Sequence, residues 1–373
     1  MAKKGTSLGQ LAWHKFKKDA AAIFGVAVIT IALILAILGP LVAPDGSPHA
    51  NRQIIELAAK KPGSTFTFLK VPRNSVPDGS FIDGILIGKP DAYSWSPIFA
   101  HSFSNDTLIV ERFTGDTPND GEIVKFPFSA LSESNLSSEE IEQKLIETRT
   151  FWLGTDRFGR DLLSRMILGT RISLSIGFVA VGISLLIGIL LGSLAGFFRG
   201  WIDNVVMWFV TVVWSIPLLL LVIAITLAMG KGFWQVFVAV GMAMWVEVAR
   251  IVRGQILSIR EKEYVEACRA LGYSGYRTIV RHILPNILGP VIVISAANFA
   301  AAILIEAGLS FLGIGAQPPI PSWGAMIKDH YGYIIMDKAY LALIPGAAIL
   351  LMVLAFTLVG NGIRDAIDVK GTN

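Results

Sequence analysis

The chain has 373 residues, of which 53% are hydrophobic and only 16% charged, whereas about a quarter of the residues in a soluble protein are charged. That composition excludes a water-soluble globular enzyme and points to a membrane protein; no nucleic-acid partner is expected. One cysteine, Cys268, rules out an internal disulfide and reads as a small apolar residue.

Residues 1–19 form a basic lead in which Leu8, Leu11, Trp13 and Phe16 alternate with lysines, a pattern suited to the anionic inner leaflet. Ala20 to Pro44 is free of Asp, Glu, Lys and Arg and exceeds the roughly 20 residues that span a bilayer. Its apolar part is too long for a signal peptide and no small-residue cleavage site follows, so an uncleaved first span over 20–44 is expected. Residues 45–150 read as a water-soluble α+β insertion. The strand-like runs "TFTFLKV", "FIDGILIG", "TLIVERF" and "EIVKFPF" are separated by turn residues, and "SSEEIEQKLIETR" predicts a helix capped by Ser137 or Ser138.

An external amphipathic segment over 151–171 leads into a five-span bundle at 172–363. Uncharged runs place its spans at 172–198, 204–230, 232–249, 282–305 and 339–363, of which 232–249 is the shortest. A charged loop at 250–281, an outer loop at 306–338 and a tail at 364–373 complete the division. The spans are rich in Gly, Ala and Ser, which permits close helix packing in lipid. Pro217, Pro285, Pro290 and Pro345 interrupt or begin spans, and packing kinks account for them.

Charge bias orients the chain. Lys3, Lys4, Lys15, Lys17 and Lys18 precede the first span, and Arg250, Arg253, Arg260, Lys262, Arg269, Arg277 and Arg281 occupy the 250–281 loop. Both rules place these segments, and with six spans the C-terminus carrying Arg364 and Lys370, in the cytoplasm. The insertion then lies outside; it is acidic, with 10 Lys+Arg against 15 Asp+Glu. Arg157, Arg160, Arg165 and Arg171 run against the bias, which long translocated loops obey poorly.

Enzyme signatures are missing. There is no G-x-x-x-x-G-K-[ST] phosphate loop, and His14, His49, His101, His282 and His330 show no metal-ligand spacing. Glu247 and Glu306 are the acids nearest the membrane, and both are placed at span ends, where capping accounts for them.

The stretch "EYVEACRALGYSGYRTIVRHILPN" stands apart. Tyr264, Ala267, Cys268 and Leu271 form an apolar stripe at helical spacing, while Lys262, Glu266 and Arg269 occupy another face. Gly272 supplies a left-handed helix end, a second helix is expected from Ser274, and Pro285 suits the first turn of the next span. An interfacial helix lying on lipid is one reading. A knob docking into a protein groove is favoured, because the stripe is small and both ends are fixed to spans.

These residues resemble the EAA loop of bacterial ABC importer permeases: Glu266, Ala267, Gly272, Leu284 and Pro285 match its spacing, with Cys268 at its second Ala and His282 at its Ile. "FWLGTDRFGRDLLSRMILGTRISLSIG", "GFFRGWID", "EAGLSFLGIGAQPPIPSWGAMI" and "LVGNGIRDAIDVK" resemble the dipeptide/oligopeptide/nickel subfamily, second-subunit type. About two thirds of the chain is covered; the large insertion departs from the pattern.

The resemblance implies an α-helical integral membrane protein of the bacterial inner membrane, with one N-terminal span plus a five-helix ABC importer permease bundle. It implies a non-enzymatic permease subunit that pairs with a second, homologous permease. Two ATPase subunits would bind the ATP and Mg; the chain itself carries no cofactor. An external substrate-binding protein would deliver peptide. Coupling to the ATPases is assigned to Glu263, Tyr264, Glu266, Ala267, Cys268, Leu271, Gly272, Gly275, Leu284 and Pro285. The insertion, Asp156 to Arg171 and Gly308 to Trp323 would shape the outer mouth. Nickel or another chelated metal and oligosaccharide are alternative cargoes. From other classes, a secondary transporter should show broken helices with midplane polar residues, which are not evident, and a membrane-anchored scaffold would need only one span.

Overall fold

The computed structural model describes residues 8–73, 84, 87–115, 117, 120–131, 137–230 and 232–367. Lys3, Lys4, Lys370 and most of the "FIDGILIG" run lie outside the described residues. A short helix, α1 (Leu8–Phe16), leads into the first span α2 (Ala20–Val42), which Asp19 caps by accepting from Ala21 N and Ala22 N. Phe16 is buried beside Ala22 and Ala366, so the basic lead is tied to the bundle.

The bundle consists of α5 (Leu162–Phe198), the pair α6 (Gly200–Trp214) and α7 (Leu218–Met229), α8 (Phe233–Ile259), α11 (Leu284–Phe311) and α13 (Tyr340–Ile367). Among the described residues five helices are long and apolar enough to cross a membrane, counting α11 with the turns before it, and α6 with α7 forms a bent pair broken by 93°. The pair begins beside the Arg199–Glu261 ion pair and delivers the chain to Phe233, which packs with Ala316 and Ile320 at the opposite face. Counted as one crossing, the bent pair brings the spans among the described residues to six.

Several bounds differ from those expected, for one recurring reason: charge does not end a span when its partner is supplied. The 151–171 segment is helical from Leu162, because Asp161 caps the helix, Arg165 lies beside the Asp156 carboxylate and Arg171 donates to carbonyls of the first span. Pro40 has no N–H to offer the Ala36 carbonyl, and Arg171 Nε donates to that carbonyl at 2.7 Å instead. The fourth span runs on from 249 to Ile259, since Arg253 forms a forked pair with Asp203 at 2.6 and 2.7 Å. Glu247 consequently sits at the middle of α8 rather than at its end. Pro217 breaks the 204–230 span outright instead of kinking it.

Small residues set the distance between α5 and α8. Gly188, Gly192 and Gly196 recur every fourth residue on α5 and face Val248, Ala249, Val252 and Ile256 of α8. A Cβ on Gly192 would lie 2.6 Å from the Ala249 carbonyl oxygen and 2.9 Å from Val252 Cβ, so the two backbones are in contact.

The insertion is a five-stranded antiparallel sheet ordered β4-β3-β2-β1-β5, from β1 (Ser64–Pro72), β2 (Tyr93–Ser104), β3 (Thr107–Arg112), β4 (Ile123–Pro127) and β5 (Ile146–Phe151). Adjacent residues Phe68 and Leu69 point to opposite faces. Leu69, with Ile98 and Leu108, packs on the one-turn helix α3 (Phe128–Leu131) and on α4 (Ser138–Leu145). Phe68 packs with Ile54 and Leu57. Ser137 and Glu140 form the capping box that starts α4. The helix stops at Leu145, four residues before the expected end, because Ile146–Phe151 pairs with β1 instead, with Thr65–Thr150 and Thr67–Thr148 hydroxyl contacts at 3.0 and 3.1 Å. The sheet is fastened to the bundle: Asp45 N donates to Ser164 Oγ at 2.8 Å, Ala59 N to the Asp156 carbonyl at 2.8 Å, and Tyr340 Oη to the Lys60 carbonyl at 2.7 Å.

Candidate functional site: the coupling face

The face opposite the insertion carries α9 (Glu263–Ala270) and α10 (Gly275–Thr278). Gly272 ends α9 with φ +72. Its N–H donates to the Arg269 carbonyl at 2.9 Å, and Tyr273 N to the Cys268 carbonyl at 3.0 Å, the paired bonds of a Schellman end. Ser274 then caps α10, its side chain accepting from Arg277 N at 3.3 Å. The chain continues through a widened turn over Ile279–Ile283 into α11. That turn directly precedes Pro285, which can neither donate to the Arg281 carbonyl nor tolerate it close by. Helices α9 and α10 are therefore short, sharply joined, and continuous with a span.

The expected apolar stripe divides on folding. Cys268 is buried, together with Val265, whose neighbours are Ile256, Ile283 and Ile287. Tyr264, Ala267 and Leu271 remain outside, with Tyr264 42% and Leu271 70% exposed. The reason is geometric: Val265 and Cys268 lie three residues apart and share the inner side of the helix, and Val265 is the larger apolar anchor that the expected stripe omitted. Glu263 and Glu266 are exposed in the first turn of α9, the favourable end for acids. Gly275 lies against Phe197 and Phe198, where a Cβ would stand 3.1 Å from the Phe197 ring. Leu284 is partly buried and Pro285 exposed.

Three side chains absent from the expected set fix this face to the bundle. Arg260 Nη1 donates to the Phe197 carbonyl at 2.6 Å, satisfying a free carbonyl at the end of α5. Arg199 reaches Glu261 at 2.8 Å, and Arg253 holds Asp203. The motif "GFFRGWID" thus forms the seat of α9; basic residues at 250–260 opposite the acid of that motif were the available signal.

At the other face, Asp156, Arg160 and Arg165 form a buried cluster joined by α12 (Trp323–His330). Asp156 Oδ2 lies 2.6 Å from Arg160 Nε and 3.6 Å from Arg165 Nε, and Arg157 pairs with Asp329 at 3.0 Å. Glu306 is buried in α11, where it accepts from Ser310 Oγ at 2.6 Å, and Ser322 Oγ meets Ser310 at 3.2 Å. It holds the outer loop from inside the helix rather than capping an end.

His330 accepts from Arg157 N at 3.2 Å through Nε2, while Nδ1 contacts the Met326 carbonyl at 2.7 Å. Burial lowers its pKa below 6.5, with Arg157 acting in the same sense and Met326, Asp156 and Asp329 opposing. The fold thus favours the neutral ring. That contribution is complete above the unfolded value and is lost as pH falls through it toward the lower folded value. Between about pH 7.5 and about pH 5.5, the thermal unfolding midpoint should fall further in the native protein than in His330→Gln; equal falls would contradict this assignment.

Residues 188–370 match the family described as Binding-protein-dependent transport system inner membrane component, and residues 7–59 match the N-terminal TM domain of oligopeptide transport permease C. The chain is 42% identical over 219 residues to the glutathione transport system permease protein GsiD of Pectobacterium atrosepticum, covering 59% of this chain and 72% of that one. It is 41% identical over 229 residues to the dipeptide transport system permease protein DppC of Bacillus subtilis, covering 61% and 72%. A chain of the MetNI methionine ABC transporter, in an inward-facing conformation, superposes with a TM-score of 0.46 at 20% identity, covering 54% of this chain and 96% of that one. The span bundle, the seated loop between its fourth and fifth crossings, the family match over residues 188–370 and the identity to the GsiD and DppC permeases lead to one conclusion: the chain belongs to the binding-protein-dependent inner-membrane permeases, the membrane subunits of bacterial ABC importers.

Proposed function

We propose that this subunit imports di- and oligopeptides, pairing with a second, homologous permease and driven by two ATPase subunits that bind the ATP and Mg. An external substrate-binding protein delivers the cargo. The N- and C-termini and the 250–281 loop face the cytoplasm, as the lysine and arginine bias favours, and the sheet insertion faces outward beside the mouth formed by Asp156 to Arg171 and Gly308 to Trp323. The peptide assignment draws on the dipeptide and glutathione permeases among the relatives.

The carrying observation is the coupling face. Tyr264, Ala267 and Leu271 point away from the bundle on a helix that Val265, Cys268, Arg260 and Gly275 hold rigidly to two spans and to the end of α5. An ATPase groove gripping that outer side would move α8 and α11 together, switching the bundle between inward- and outward-open states.

Ala267→Arg places a long charge on the gripping surface without touching the inner side. ATPase association should weaken by roughly 30-fold or more, as for loss of a central contact worth about 2 kcal/mol or more, and ATP-driven dipeptide uptake should fall with it. Cys268→Ala, on the inner side, should leave association near normal. Full ATPase capture and uptake in Ala267→Arg would refute the coupling role.

A further inference from the structure

The break between α6 and α7 opens a cleft that the coupling face does not use. Pro217 has no N–H, and no backbone N–H among the described residues donates to the carbonyls of Trp214, Ser215 or Ile216. These oxygens lie at the partly negative C-terminal end of α6. Within a membrane span, free carbonyls are tolerated only where they line a cavity or meet a partner. A cleft of about 420 Å³ lies there, within the usual size range of small-molecule sites.

Glu247 lines the same cleft from the middle of α8. Its side chain is exposed, and among the described residues no hydrogen bond or ion pair reaches it. Arg250, one turn on, has its guanidinium 4.0 Å from the centre of the Trp214 ring and makes no ion pair with Glu247. A carboxylate facing lipid tails is costly, and acids in spans face a bundle interior, a water path or a partner. The Glu247 side is therefore turned from lipid. The cleft joins a carboxylate and several unpaired carbonyls, all acceptors, to apolar walls from Val213, Ile216, Leu221 and Met244.

We propose that this cleft is a cargo subsite for a primary ammonium group, the free amino terminus of a peptide, bound by Glu247 and the carbonyls that end α6. The apolar walls take the adjoining side chain. This deepens the peptide-permease reading and rests on it. An ammonium supplies three donors and a positive charge, matching the Glu247 carboxylate and the unpaired carbonyls that end α6. Acetylating the amine removes both the charge and all but one donor. The other occupant of such a site is a lysine or arginine of the second permease subunit.

The test uses the assembled complex of both permeases and both ATPases in nanodiscs, without the binding protein, so that cargo selection upstream plays no part. The probe is alanyl-p-benzoylphenylalanine, with its amino terminus free or acetylated, photocrosslinked and mapped by mass spectrometry. The free form should label the peptides containing Val213–Leu221 or Ala243–Glu247 roughly tenfold more than the acetylated form, as expected for a charge-assisted contact. Glu247→Gln should bring that ratio near one, and Glu247→Asp should restore most of it. Equal labelling by both forms in the native complex, or an unchanged ratio in Glu247→Gln, overturns the proposal. Dissociation of the two permeases in Glu247→Gln on size exclusion also overturns it, assigning Glu247 to a cation of the partner. Absence of ATP-driven dipeptide uptake by the native complex with its binding protein would instead be a failure of the peptide-permease reading.

Discussion

Replacing Asp156 by alanine should destabilise the chain by about 3–5 kcal/mol, the usual cost of leaving buried charge without its partner. The magnitude follows from the arrangement. Asp156 is 1% exposed and contacts Arg160 at 2.6 Å and Arg165 at 3.6 Å. Its other oxygen accepts from Phe158 N at 2.8 Å and Arg160 N at 3.0 Å, and its carbonyl receives Ala59 N from the insertion. Losing the carboxylate strands two buried guanidiniums and two backbone donors where the sheet is fastened to the span. Asp156→Asn keeps the shape but removes the charge and should fall between. Thermal unfolding of the detergent-solubilised protein reads the shift; an Asp156→Ala midpoint within a degree or two of native would show that the cluster is open to water.

Gly192→Leu is expected to be comparably damaging, at about 3 kcal/mol or more. Its added Cβ meets the Ala249 carbonyl at 2.6 Å, which is backbone and cannot rotate away. The two helices must separate, and the contacts of Gly188 with Val248 and of Gly196 with Ile256 loosen with them. Gly182→Leu is the control: on the same helix, nothing lies within 4 Å of its added Cβ, and leucine has the better helix propensity. Folded yield and unfolding temperature should drop for the first and hold for the second. Equal behaviour would mean that α5 and α8 pack less closely than their glycines allow.

Periodicity and length made much of the fold legible. Uncharged runs located the spans, because burying backbone in hydrocarbon demands long apolar helices. Ser137, Gly272 and Ser274 marked helix ends through local hydrogen bonding that needs only near neighbours in sequence. Strands β2 and β5 were not legible. The run "YSWSPIFAHSFS" holds a proline and polar residues and is stabilised by its place between two other strands, and "IETRTF" continues a helical pattern that only pairing with β1 overrides.

What the sequence determined by itself is the membrane class, the two-helix loop at Glu263–Thr278 and its small apolar stripe, since each depends on composition or on spacing within a few residues. Tertiary structure decided which of those stripe residues face outward. Val265 and Cys268 turn toward Ile256, Ile283 and Ile287, leaving Tyr264, Ala267 and Leu271 free, because the choice depends on where two other helices stand. It also decided that Arg165 and Arg171 belong inside a span, and that Glu247 lies beside a broken helix rather than at a span end. Asp156 is near Arg165 in sequence and meets it through the turn at 156–160, but the Ala36 carbonyl and the cleft at Ser215–Pro217 are distant from Arg171 and Glu247, and folding alone brings them within reach.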